Sequence, residues 1–272
     1  MSKPRIAYQI YSARAEAEKD LRGILTTLKK QGYEGVEFAG FYGHSAEEVK
    51  AMLDEIGLVA ASSHVAIQLA QADPYGLISY HQRIGCKYIA IPYLDDHDRP
   101  GAPGFAKVIR FLYDFGKLCK KAGITLSYHN HDFEFDMLSG IHGLDFLFEA
   151  LPEDLLATEI DTCWVKYAGV DPIEYLKKYT GRAPTVHIKD FVGFKGEVSP
   201  YHLIGQKENP DAHIAEFSYR PYGYGIQDAK GVVEAAVAAG AKWLIIEQDD
   251  SPDRPPMEAS QMSIDTLKKL GY

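Results

Sequence analysis

Lys121-Ala122-Gly123-Ile124-Thr125-Leu126-Ser127-Tyr128-His129-Asn130-His131 holds a complete joint of an α/β chain. Basic residues close an amphipathic segment, and a glycine follows where a left-handed conformation ends a helix. A β-type run then stops on imidazoles. Working outward, the same joint recurs. Gln31-Gly32-Tyr33 precedes Gly35 to Phe38, Glu55-Ile56-Gly57 precedes Val59 to His64, and Ala239-Gly240 precedes Leu244 to Glu247.

Strands are expected at Arg5 to Ile10, Gly35 to Phe38, Val59 to His64, Tyr88 to Ile91, Thr125 to Asn130, Leu156 to Ile160, Thr185 to Ile188 and Leu244 to Glu247. Between them lie helical segments: Ala15 to Lys30, Ala46 to Ile56, Tyr75 to Ile84, Phe105 to Lys121, Gly143 to Ala150, Pro172 to Lys178, Ala229 to Ala239 and Met257 to Leu270. Val108, Phe111, Leu112, Phe115 and Leu118 recur at helical spacing. Ser45 with Glu48 forms a capping box, and Asp171-Pro172 sets a cap before a proline at the first helical position. Strand and helix alternating through the whole chain predict a (β/α)8 barrel spanning 1–272 as one domain, with a doubly wound open sheet as the alternative. The stretch from Phe191 to Gln227 breaks the rhythm as a long insertion after strand seven. On a barrel it would lie on the catalytic face and cover the substrate pocket, or else serve as a surface excursion or dimer contact. Within it, Gly223-Tyr224-Gly225-Ile226-Gln227-Asp228 resembles a phosphate loop only in its glycines, because no strand directly precedes it.

Bulk properties narrow the function. With 46% apolar and 25% charged residues the chain can bury a large core. A formal charge of −9 argues against a general affinity for nucleic acid. No run is long and apolar enough for a membrane span or a signal peptide, so a cytoplasmic protein with no membrane partner is expected. The three cysteines, Cys86, Cys119 and Cys163, are expected as free thiols. Cys163 alone lies near the strand ends that carry chemistry, where packing outweighs a catalytic role.

In a parallel barrel the active site lies at the C-terminal ends of the strands. Those ends offer Glu37, Phe38, His64, Tyr93, His129 to His131, Asp161, His187 to Asp190, and Glu247 to Asp249. Each of the last four strands ends in a residue able to ligate a divalent ion, so a metal site is expected where they converge. Side-chain alternation is taken to put Glu159 on the opposite face from Asp161. His187 and Lys189 share a face, which leaves Lys189 to bind a substrate oxygen or to pair with Asp190 at the rim.

The runs Tyr128-His129-Asn130-His131-Asp132-Phe133-Glu134-Phe135, Glu159-Ile160-Asp161-Thr162-Cys163-Trp164, His187-Ile188-Lys189-Asp190 and Ile246-Glu247-Gln248 resemble those of the xylose isomerase-like TIM barrels. They are closest to the sugar phosphate isomerase/epimerase and inosose dehydratase/isomerase branch, and the resemblance covers essentially the whole chain. It implies one divalent ion, Mn²⁺ first with Co²⁺, Fe²⁺, Zn²⁺ and Mg²⁺ as alternatives, held by Asp161, His187, Glu247 and, at the strand-five position, His129. Many members carry Glu-Asn-His where this chain has His129-Asn130-His131. The exchange removes one negative charge and one of the two carboxylates that similar epimerases use for proton transfer.

The implied substrate is a small carbohydrate or cyclitol, and assembly into a homo-oligomer is left open. The expected chemistry is a metal-stabilised enediolate formed by proton abstraction next to a carbonyl. Glu247, His131 and Lys189 are the candidate catalytic groups, with Glu134 and His64 as further sources of a second base. His64 and Glu37 would contact substrate hydroxyls, and Trp164, with Phe38 and Tyr93, would wall the ring. Isomerisation or epimerisation is the first reading and dehydration of a keto-sugar or keto-inositol the second. A repair endonuclease, which needs further metal ligands and a basic surface, and a non-catalytic sugar-binding barrel are the competing classes.

Overall fold

Eight parallel strands close on one another in the order β1-β8-β7-β6-β5-β4-β3-β2. They are β1 (Arg5–Gln9), β2 (Gly35–Ala39), β3 (Val59–His64), β4 (Tyr88–Ile91), β5 (Thr125–His129), β6 (Ala157–Asp161), β7 (Thr185–Ile188) and β8 (Trp243–Ile246). The computed structural model describes residues 3–196 and 217–272. The open-sheet alternative is therefore overturned, since β1 pairs with both β2 and β8.

The helices are α1 (Arg14–Gln31), α2 (Ala46–Ile56), α3 (Ile67–Ala72), α4 (Pro74–Ile84), α5 (Phe105–Lys121), α6 (Gly143–Glu149), α7 (Thr162–Tyr167), α8 (Pro172–Lys178), α9 (Ala229–Ala239) and α10 (Pro256–Lys269). The capping box at Ser45 and Glu48 is formed, and Asp171 accepts from the amides of Ile173 and Glu174. Gly32, Gly57 and Gly240 end their helices in the left-handed region. In α5, Val108, Leu112 and Phe115 are buried against the sheet, whereas Phe111 and Leu118 are partly covered. Each full burial of such a side chain stabilises the fold by roughly 1.5–3 kcal/mol.

Side chains of alternate strand residues separate two layers. Ile89, Ile91, Leu126, Tyr128, Val186, Ile188, Leu244 and Ile246 join the main core, while Ala7, Ala61, Trp243 and Ile245 make a small separate cluster. Gly35 is required there, because a Cβ on it would stand 2.9 Å from the Trp243 ring and 3.0 Å from the Val59 carbonyl oxygen. The barrel's stagger sets the heights of the functional strand ends. His129 is level with Glu159, Glu159 with Thr185, and Asp161 with His187.

After β7 the chain leaves and returns through two short antiparallel strands, Asp190–Val192 and Ser218–Arg220. Residues 197–216 of the insertion lie outside the described residues. Among those described, no helix is long and apolar enough to cross a membrane, and all three cysteines are buried free thiols.

Candidate active site

His129, Asp161, His187 and Glu247, from or just past β5 to β8, are all buried. One donor atom from each lies within 4.8 Å of the others. Asp161 is held by the helix that follows it without a break. Its Oδ1 accepts from the Cys163 and Trp164 amides at 2.8 and 3.2 Å, capping α7. Its own amide donates to Asn130 Oδ1 at 2.9 Å, so the β5 loop fixes the β6 end. Asp161 Oδ2 is left 3.8 Å from His129 Nε2, and His187 Nδ1 is 2.9 Å from Glu247 Oε2.

Lys189 lies beside this set and shares the His187 face, as strand alternation requires. Its ammonium is buried 3.1 Å from Asp161 Oδ2, 2.8 Å from Glu247 Oε2 and 3.0 Å from Asp249 Oδ1. The rim pairing with Asp190 is not formed. Asp190 instead accepts the amides of Phe191, Gly223, Gly225 and Gln227 at 2.9–3.1 Å. The glycine-rich turn thus wraps a carboxylate of the protein itself. A Cβ at Gly225 would lie 2.2 Å from Asp190 Oδ1.

The second group includes buried Glu37 and Glu159 with the half-buried His64. Glu159 corrects the sequence expectation. Residues two apart on a strand share a face, so Glu159 points inward with Asp161, and His64 Nε2 lies 2.7 Å from its Oε1. Glu37, expected at the rim, has no exposed surface; Gln9 donates to its Oε2 at 2.6 Å, and His187 Nε2 is 2.6 Å from the same oxygen. The β2–β3 register shifts between Val36 and Glu37, an irregularity not visible in the alternation pattern. Gln9 and Glu159 join the site beyond the sequence expectation, and Asp249 takes a place beside Lys189. The i, i+2 spacing that pairs Glu159 with Asp161 also pairs Asp249 with Glu247, whereas Gln9 carries no local signal.

His131 stacks against Trp164, with centroids 5.5 Å apart, and meets Tyr93 edge-on at 5.3 Å. Lys189 Nζ lies 5.0 Å from the Trp164 centroid, within cation–π range. Glu134 is occupied structurally: Tyr128 Oη donates to one oxygen at 2.7 Å and the His131 amide to the other at 2.8 Å. Phe38 belongs to the main core and not to a pocket wall, where it packs on Phe41.

Burial and charge divide the titrating groups. Burial opposes an imidazolium on His187, but Glu37 and Glu247 outweigh it and hold its pKa well above the usual range. Burial depresses His129 to about 4, with the nearby His187 adding to the effect. It also lifts Glu134 to about 8 and Asp249 to about 6, the latter against the pull of Lys189. Glu247 goes the other way: Lys189 and His187 overcome its burial and hold it well below the carboxylate range.

The donor chemistry fits a divalent ion. Two carboxylates and two imidazoles form a mixed oxygen and nitrogen set of the kind that suits Mn²⁺, Fe²⁺, Co²⁺ or Zn²⁺. His129 Nδ1 is buried, yet it makes no hydrogen bond among the described residues. Buried polar atoms left in that condition are uncommon.

A family model described as xylose isomerase-like TIM barrel matches residues 25–270. An inosose dehydratase from Geobacillus kaustophilus is 23% identical over 189 residues, covering 61% of this chain. The matched region spans 61% of that relative's length. A sugar phosphate isomerase/epimerase from Parabacteroides distasonis superposes with a TM-score of 0.76 at 21% identity, over 98% of this chain and 94% of that one. The IOLI protein with a bound zinc atom superposes with a TM-score of 0.66 at 13% identity, over 98% of this chain and 97% of that one.

Proposed function

The chain belongs to the xylose isomerase-like TIM barrel family, and on that premise we propose that it is a metal-dependent enzyme acting on a sugar, sugar derivative or cyclitol. Its reaction removes the proton next to a carbonyl. The observation that carries this reading is the convergence of His129, Asp161, His187 and Glu247 within 4.8 Å, with an ammonium alongside. These four residues would hold one divalent ion, with Mn²⁺ the first choice. Zinc in the IOLI protein supports an ion of this kind. When bound, the ion supplies polarisation of the carbonyl and stabilisation of the charge that develops on proton loss.

The protein groups divide the remaining work. Glu247, kept ionised by Lys189 and His187, accepts the proton. Lys189 holds a substrate oxygen, steadied by Asp249 at 3.0 Å. His131 serves as the second proton-transfer group, and Trp164 backs it by stacking. Isomerisation returns the proton to the neighbouring carbon. His64 and Glu37, assigned by sequence to substrate hydroxyls, are engaged with Glu159, Gln9 and His187, so they act from behind the ligand set.

Dehydration is the second reading, favoured by the inosose dehydratase among the relatives. It shares the first step and needs an acid for the departing oxygen, which the Lys189 ammonium provides. A panel of keto-sugars and inososes incubated with Mn²⁺, read for isomer formation and water loss together, separates the two. Turnover of none of them, with or without metal, would sink both.

A further inference from the structure

The two histidines of the ligand set each stand between two carboxylates. His187 faces Glu247 with Nδ1 at 2.9 Å, and its Nε2 lies 2.6 Å from Glu37 Oε2 and 3.5 Å from Glu159 Oε1. His129 faces Asp161 with Nε2 at 3.8 Å and Glu159 with Nδ1 at 3.7 Å. The rings meet edge to face with centroids 4.5 Å apart. Glu247 and Asp161 form one tier, and Glu37 and Glu159 form the other. Both acids of the second tier are fully buried, and His64 Nε2 ties them together at 3.2 and 2.7 Å.

A neutral imidazole has one N–H and one lone pair, and only the lone pair can bind an ion. A carboxylate accepting the N–H therefore decides which nitrogen is presented, and such partners fix ring orientation and raise ligand basicity. We propose that Glu37 is a positioning residue that holds His187 in the tautomer with its proton on Nε2, so that His187 presents Nδ1. The inference rests on the metal-binding reading above and adds to it the control of one ligand.

A second ion is the rival occupant, because His64, His129, Glu159 and His187 also offer donors within 4.8 Å. The distances favour hydrogen bonding. His64 Nε2 stands 2.7 Å from Glu159 Oε1, a hydrogen-bond separation. Glu37 Oε2, at the edge of the same group, is likewise taken up at 2.6 Å by both Gln9 and His187.

The test uses the full chain loaded with Zn²⁺, a diamagnetic probe, and reads long-range ¹H–¹⁵N correlations of the histidine rings beside a competition titration of Zn²⁺ affinity. The wild type is expected to take up one equivalent, with the proton of His187 on Nε2. Glu37→Gln should weaken Zn²⁺ by about tenfold to a hundredfold and disturb the tautomer of His187. The wild-type spectrum decides the tautomers even if a variant fails to fold. One bound ion with His187 in the other tautomer, or wild-type affinity in Glu37→Gln, overturns the positioning role alone. A second equivalent lost in His64→Gln overturns it in favour of a two-ion centre. No Zn²⁺ uptake by the wild type overturns the metal reading, and the positioning role with it.

Discussion

Asp161 divides its two oxygens between a helix cap and the proposed metal site. Oδ1 caps α7 through two amides, and Oδ2 faces the ligand set. Asparagine can still cap a helix, so Asp161→Asn should leave thermal stability within about 1 kcal/mol. Divalent-ion uptake should fall, and turnover should fall with it. Calorimetric titration and a rate measurement on the same preparation check both halves. The residue types at the strand ends were legible because a β run that stops on Asp, His or Glu is visible in sequence. Their depth was not. Glu37 reads as a rim residue until the β2–β3 irregularity and its contacts with Gln9 and His187 place it beneath the ligand set. Glu159, two residues before Asp161, shares its inward face.

At the scale of elements, periodicity and caps recovered α2, α5, α8 and α9 with their ends, because each has a start signal, a stop signal or an apolar face long enough to read. Helices α3 and α7 escaped, being single short turns that follow a strand end closely. The turn around Asp190 makes a testable joint. Asp190→Ala removes the acceptor for four amides and should cost about 2–3 kcal/mol, with hydrogen exchange accelerating at Gly223, Gly225 and Gln227. Unchanged protection at those amides would mean the turn is held elsewhere. In α4, buried His81 has its pKa depressed to about 4 by desolvation, and its Nε2 has no hydrogen-bond partner among the described residues. The unfolded chain takes up its proton near pH 6.5 and the folded chain only near 4, so this histidine's contribution is complete above 6.5 and is lost as pH falls through that window. His81→Phe should flatten the acid limb of a pH–stability curve by about 2–3 kcal/mol. An unchanged limb would contradict the assignment.

The whole barrel explains why residues far apart in sequence share one chamber. Closure brings β2 and β3 across from β6 and β7, so Glu37 and His64 meet Glu159 and His187. Repetition of strand and helix made the barrel legible, but the stagger that sets the level of each strand end is a property of the closed sheet and no single segment encodes it. The reaction proposed for the assembled site removes a proton from the carbon next to a carbonyl. The most direct measurement is turnover of a keto-sugar or inosose in D₂O by the Mn²⁺-loaded protein, with the isotope at that carbon read by NMR. Solvent deuterium is expected at that carbon in the isomerised product or in recovered substrate, with a slower rate for substrate already deuterated there. Turnover with no exchange and no isotope effect would contradict it and leave a hydride shift as the better description.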